Sequence, residues 1–154
     1  MPGAIEASID IARTTQEVFD YVADPATLPD WQPSLESAGV EPPGLPTVGM
    51  RGHEVRRVPG GSRTFRWEVT ECDPGRRWAV RGIDGAVRAH VLITLAEADG
   101  GAGTHLDYSI WFEGRGIGKV IRLLARQGAR KEVPASLALL KERVESSGSP
   151  SSTR

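Results

Sequence analysis

Apolar and polar positions alternate without a break from Ile5 to Ile11. That pattern predicts a half-buried strand with Ile5, Ala7, Ile9 and Ile11 turned to the core. Thr14 or Thr15 then offers a helix cap, with Gln16 or Glu17 in the first turn. Val18, Phe19 and Val22 recur at helical spacing, and Asp24-Pro25 ends the helix because a residue before proline resists helical geometry. A second, short helical turn runs from Ala26 to Trp31, punctuated by Pro29 and Pro33. Pro42-Pro43-Gly44-Leu45-Pro46 reads as a stiff loop.

From Val48 to Glu113 the pattern changes to strands joined by tight turns. A two-residue turn at Asp84-Gly85 sets Ile83 opposite Ala86, Val80 opposite Ala89 and Trp78 opposite Val91. The turn at Asp99-Gly100-Gly101 sets Leu95 near Leu106, Ile93 near Tyr108 and Val91 near Ile110. Both place Trp78, Val80, Val87, Ala89, Val91, Ile93 and Leu95 on one face. A slip of one residue would invert every side chain, so the agreement predicts an antiparallel meander. Arg81, Arg88, His90, Thr94, His105, Asp107 and Glu113 form the wet face. The turn at Gly60-Gly61 is less comfortable. It pairs Phe65 with Arg56 and Trp67 with Glu54, which puts two charges on the face of Phe65, Trp67 and Val69. The alternative is a bulge that turns Val55 inward instead.

The segment Ile117 to Val144 is helical. Ile117, Val120, Ile121 and Leu124 lie on one side, and Leu137, Leu140 and Val144 resume the period after a phase break. Pro134, near that break, is expected to kink the helix. Arg115, Lys119, Arg122, Arg126 and Arg130 form a stripe opposite the first apolar group. Two readings stand for it: a solvated face on a core-packed helix, or weak contact with an anionic membrane. Ser146 to Arg154 is small and polar, an expected disordered tail behind one domain over residues 1–145.

The 154 residues suit one domain, and 39% apolar with 25% charged side chains is the composition of a globular protein. Lys and Arg number 19 against 20 Asp and Glu, a net charge of -1 that removes the usual electrostatic case for nucleic acid as a partner. The single cysteine, Cys72, excludes an internal disulfide and a cysteine-built zinc site. His53, His90 and His105 have no ligand spacing, so neither a metal nor another cofactor is expected. The opening residues have no basic-then-apolar leader pattern, and no apolar run reaches the ~20 residues a bilayer span needs. A cytoplasmic location follows as the expectation. Monomer and homodimer stay open.

Several phrases carry a family likeness. Glu17-Val18-Phe19-Asp20-Tyr21-Val22-Ala23-Asp24-Pro25 followed by Leu28-Pro29-Asp30-Trp31-Gln32-Pro33 resembles the opening of the polyketide cyclase/dehydrase-like group of the SRPBCC (START-like) superfamily. Val69-Thr70-Glu71-Cys72-Asp73-Pro74, Gly100-Gly101-Ala102-Gly103-Thr104 and Leu137 to Glu142 are similar to that group's later strand, hairpin and final-helix phrases, with Ala102-Gly103 inserted before the threonine. The resemblance implies an α+β helix-grip fold: a seven-stranded antiparallel sheet around a long C-terminal helix, with two short helices after the first strand. It also implies a cavity that takes lipids, polyketides or similar apolar molecules. It carries over no catalytic residue.

Candidate site residues follow from the inner face. Glu54 and Arg56 sit at alternate positions of one strand and point the same way. Buried in a cavity, Arg56 suits a ligand carboxylate or enolate and Glu54 a general base; outside it, both are ordinary solvated charges. Trp31, Phe65, Trp67, Trp78 and Tyr108, with Leu124 from the helix, are the expected ligand contacts, and Tyr108 is the best polar one. Three uses of the cavity remain: noncovalent binding or carriage of a hydrophobic ligand, an aromatase/cyclase- or dehydratase-type enzyme using Glu54, Arg56 or Tyr108, and an interaction module whose cavity is filled by its own side chains.

Overall fold

The computed structural model describes residues 3–41, 44, 46–114, 116 and 118–147. Pro42, Pro43 and Leu45 of the stiff loop, Arg115, Ile117 and residues 148–154 lie outside the described residues. Strand β1 (Ile5–Ile11) leads into helix α1 (Thr15–Val22), a 3-10 turn at Pro25–Thr27 and the short helix α2 (Leu28–Trp31). Strands β2 (Leu35–Glu41), β3 (Arg51–Val58), β4 (Gly61–Asp73), β5 (Arg77–Gly82), β6 (Val87–Ala98) and β7 (Gly103–Gly114) follow, and helix α3 (Gly118–Ser147) closes the chain. All neighbours in the sheet are antiparallel, in the order β1-β7-β6-β5-β4-β3-β2. This is the helix-grip arrangement. The strand β2 falls in a stretch to which the apolar pattern assigns no element.

Local chemistry accounts for the elements. Thr14 caps α1: its hydroxyl accepts from Glu17 N at 3.2 Å while the Glu17 carboxylate accepts from Thr14 N at 3.1 Å. The helix buries Val18, Phe19 and Val22. The expected β6–β7 register holds: Leu95 faces Leu106, Ile93 faces Tyr108 and Val91 faces Ile110. Two other hairpins close differently. Trp78 pairs with Ile93, not Val91, because residues 83–86 form a longer turn than Asp84-Gly85 alone. Phe65 pairs with Glu54, and Arg56 with Arg63, because Pro59 and Gly60 make the β3–β4 turn while Gly61 already pairs with Val58. Both slips are of even length, so every side chain keeps its expected face. A bulge does occur, in β4 between Val69 and Glu71, and it leaves the β3–β4 register untouched.

The core joins α1, α2, the inner face of the sheet and the second half of α3. Trp31, Trp67, Val69, Trp78, Ile93, Leu106, Tyr108, Val133, Leu137, Leu140 and Val144 are all buried in it. The ring edge of Phe19 meets Trp78 at 6.0 Å between centroids and 88° between planes. On the outer face His90 lies flat on Trp111, its pairing partner, at 5.2 Å and 3°.

Helix α3 departs from the expected tail boundary and from the expected apolar face. It remains helical through Pro134 and runs on to Ser147, two residues into the segment read as a tail. It therefore carries one phase throughout, set by Val133, Leu137, Leu140 and Val144. Extending that phase backwards turns Ala125 and Ala129 toward the sheet, with Arg122 and Arg126 half-buried beside them. Val120, Ile121, Leu123 and Leu124 turn outward and are exposed, Leu124 to 62%. Val120, Ile121 and Leu124, the described members of the apolar group expected on one side of the helix, thus face away from the core. The start of α3 is held close to the sheet: a Cβ on Gly118 would stand 2.6 Å from the Ala86 carbonyl oxygen, and one on Gly114 would stand 2.6 Å from that of Gly118.

Candidate functional site

The inner face of the sheet has a packed end and a half-open end. At the packed end Trp78, Ile93, Leu95, Leu106 and Tyr108 are buried under α1, α2 and the second half of α3, while Trp67 and Val69, also buried, lie in line with Gly82 and Val80 nearer the other end. Toward the start of α3 the same face carries Val80, Ala89, Val91, Ile110 and Phe112, all only half-buried. The helix turns Arg122, Ala125, Arg126 and Ala129 to this side, all half-buried, the two alanines being too short to fill the space a Leu would. This end of the grip is therefore half-open and apolar on its sheet side, and the two clefts described below both lie elsewhere on the surface.

Glu54 and Arg56 are on this inner face, since Glu54 pairs with Phe65 and Phe65 alternates with buried Trp67. Their side chains are 17% and 25% exposed. Arg56 Nε donates to Glu54 Oε2 at 2.8 Å, and one terminal nitrogen stands 2.6 Å from the same oxygen. That nitrogen also donates to Gln32 Oε1 at 2.8 Å. The other donates to Ser34 Oγ at 2.6 Å and lies 3.4 Å from Glu132 Oε2. Ser34 Oγ donates in turn to Glu132 Oε2 at 2.8 Å. All three guanidinium nitrogens therefore have oxygen partners from β3, from the α2–β2 link and from α3. The group is a clasp across the grip, and it offers a ligand anion no unused nitrogen.

Three polar groups remain unmatched in the aromatic part. The indole N–H groups of Trp31 and Trp67 are buried with no acceptor. The Tyr108 hydroxyl has no hydrogen-bond partner among the described residues. Burial pushes the Tyr108 phenol far above its ordinary value; Arg56 opposes the rise while Glu54 and Glu132 add to it. Tyr108 is thus a protonated donor throughout the physiological range and faces the clasp's charges. Each buried donor left unsatisfied costs about 1–3 kcal/mol.

Gly52 explains how Trp67 is seated. The two residues pair across β3 and β4, and a Cβ on Gly52 would stand 2.3 Å from the Trp67 ring. The indole lies where any side chain at residue 52 would be.

Of the expected contacts, Trp31, Glu54, Arg56, Phe65, Trp67, Trp78 and Tyr108 all come to the inner side of the grip, Phe65 only half-buried. Leu124 does not; the helix phase turns it to the outside. Gln32, Ser34, Gly52 and Glu132 belong to the site and were not singled out by sequence. A signal existed for Glu132 alone, as the first acidic residue after a long basic stretch. The expected solvated basic stripe is also divided: Lys119 and Arg130 are exposed, whereas Arg122 and Arg126 turn inward, Arg126 Nε donating to the Gly3 carbonyl at 3.0 Å.

Two clefts lie elsewhere on the surface. One of about 310 Å3 on the outer face is lined by Arg51, Glu68, Arg81, Arg88, His90 and Glu113, whose charges largely pair, His90 with Glu113 at 2.7 Å and Arg81 with Glu68 at 3.0 Å. The other, of about 320 Å3, lies between α1 and the end of α3. Among the described residues no group of three or more His, Cys, Asp or Glu is placed to hold a metal ion. No described helix is long and apolar enough to cross a membrane.

Comparison with known proteins is consistent with this geometry. A family model described as polyketide cyclase / dehydrase and lipid transport matches residues 2–145. An uncharacterized protein of Mycobacterium tuberculosis is 25% identical over 135 residues, covering 87% of this chain and 93% of its own. The Zhui aromatase/cyclase of Streptomyces sp. R1128 superposes with a TM-score of 0.81 at 16% identity, over 98% of both chains. A START superfamily protein of Mycobacterium smegmatis gives 0.71 at 15% identity, over 93% of this chain and 97% of that one. At such identities the two solved structures speak to fold alone.

Proposed function

The chain belongs to the polyketide cyclase/dehydrase and lipid transport family, and on that footing we propose that it binds a small, mainly hydrophobic molecule, noncovalently, in the groove between the sheet and the first half of α3. The observation that carries this reading is the pair of buried indole N–H groups, Trp31 and Trp67, left without acceptors while the charges of the clasp are all paired with one another. A ligand with one or two carbonyl, enol or ether oxygens supplies the missing acceptors, and its carbon skeleton covers Val80, Val91 and Ile110. The Tyr108 hydroxyl is a third donor for such an oxygen.

Turnover on the same surface has less support. Arg56 is fully engaged by Glu54, Gln32, Ser34 and Glu132, so it has no nitrogen for an enolate. A phenol as reluctant to ionise as Tyr108 is a poor proton acceptor. Binding, with carriage as its simplest use, is the reading favoured.

Native mass spectrometry of the purified protein, with titration of the apolar dye 1-anilinonaphthalene-8-sulfonate, tests it. One saturable site per chain is expected, weakened several-fold in Tyr108→Phe and in Trp67→Phe. Absence of any saturable uptake, or uptake indifferent to both substitutions, sinks the proposal.

A further inference from the structure

The first half of α3 presents a surface that the fold does not use. Val120, Leu123 and Leu124 are 60%, 57% and 62% exposed, and Ile121 is exposed beside them. At about 100° per residue, Val120 and Leu124 lie side by side on the outward face, with Leu123 and Ile121 on its two flanks. Lys119 and Arg130, both exposed, run along the Leu123 side, and exposed Lys131 stands about two turns beyond Leu124 on the same outward face. From Gly118 to Lys131 there are five Lys and Arg and no Asp or Glu. The chain as a whole carries -1, so this density of positive charge is local.

From this arrangement we infer that the outward face of residues 119–131 docks on an anionic lipid surface. Four large side chains enter the boundary between head groups and acyl chains, and Lys119, Arg130 and Lys131 contact the phosphates. Charge complementarity selects this occupant. A second copy of the chain, meeting the first across a twofold axis, would bring two cationic faces together and leave their charges unanswered. Place adds to charge: the helix segment spans the half-open end of the apolar groove, where Val80, Val91 and Ile110 are only half-buried. Docking would set that opening against the lipid. The inference stands apart from the ligand reading, because the face is apolar and cationic whether or not the groove is filled.

Co-flotation of the full chain with vesicles tests it, using equal parts phosphatidylglycerol and phosphatidylcholine against phosphatidylcholine alone in 0.15 M salt. Binding about tenfold or more tighter to the anionic vesicles is expected. Leu123→Ser with Leu124→Ser should lose most binding to both, and Lys119→Gln with Arg130→Gln and Lys131→Gln should abolish the anionic preference. All five side chains are exposed, so unfolding midpoints should stay near that of the parent. No flotation with anionic vesicles, or equal flotation of the leucine variant, overturns the inference. So does a concentration-dependent dimer in sedimentation that the leucine substitutions dissolve while vesicles bind nothing; that result would give the face to a second copy. Dye uptake by the groove, measured in parallel, keeps failure here distinct from failure of the ligand reading.

Discussion

The two halves of α3 share one helix and one register yet do opposite things with their apolar side chains. The second half buries Val133, Leu137, Leu140 and Val144 and is tied to the first strand by charge: Glu145 Oε2 accepts from Ala12 N at 2.8 Å, and Lys141 Nζ donates to the Asp10 carbonyl at 2.7 Å. The first half exposes Val120, Ile121, Leu123 and Leu124 and turns Ala125 and Ala129, with Arg122 and Arg126, inward. One continuous helix turns only one stripe to the sheet, so a sequence with two apolar stripes of different phase can bury only one. The longer contact, with β1, β7 and α2, decides which.

The sharpest way to break this comparison is a matched pair of truncations. Leu140→Ala should cost about 2–5 kcal/mol, and Leu124→Ala should stay within about 0.5 kcal/mol of the parent. Urea unfolding measures both, and comparable losses would mean the first half is packed after all. Next in size, Gly52→Ala forces the Trp67 indole from its seat, for about 1–3 kcal/mol. Indole emission should shift to the red as that ring gains water; an unshifted spectrum would contradict the seating of the Trp67 ring against Gly52.

The smallest effect belongs to Glu145. The hydrogen bond from Lys141, and then that from Ala12 N, holds its carboxyl below the usual value. Its folded value is therefore lower than its unfolded one. The stabilisation is present above the ordinary carboxylate value and fades as pH falls through the depressed folded value. Glu145→Gln should flatten the acid limb of the unfolding midpoint plotted against pH and leave the neutral region nearly unchanged. An identical acid limb in both proteins would deny the pairing.

Much of this was legible in the residues themselves. Strict alternation in β1, the Thr14–Glu17 cap and the β6–β7 register each follow from local rules that tertiary structure had no reason to override. The inner placement of Glu54 and Arg56 was one of two readings the residues allowed, and it holds because the hairpin slipped by an even number of residues, which moves partners but preserves faces. Turn length was not legible, because Pro59-Gly60 and Gly60-Gly61 are both acceptable two-residue turns. Strand β2 was hidden because its seven residues include Glu36, Ser37 and Gly39 and show little alternation. Gln32, Ser34 and Glu132 were hidden because only folding brings them to one guanidinium. Leu124 was misplaced because periodicity gives the stripe and not its direction.

The Arg56 clasp also bears on how the molecule comes apart. Glu132 is 98 residues from Ser34 and 76 from Arg56 along the chain, so its hydrogen bonds close only after the whole sheet has curled and α3 has been laid across it. Contacts of such long loops form late, and late contacts leave the rate of assembly alone while setting how long the finished grip survives. Glu132→Gln is therefore expected to speed unfolding more than it slows folding, so that the knot of Glu54, Arg56, Ser34 and Glu132 lengthens the life of the folded grip.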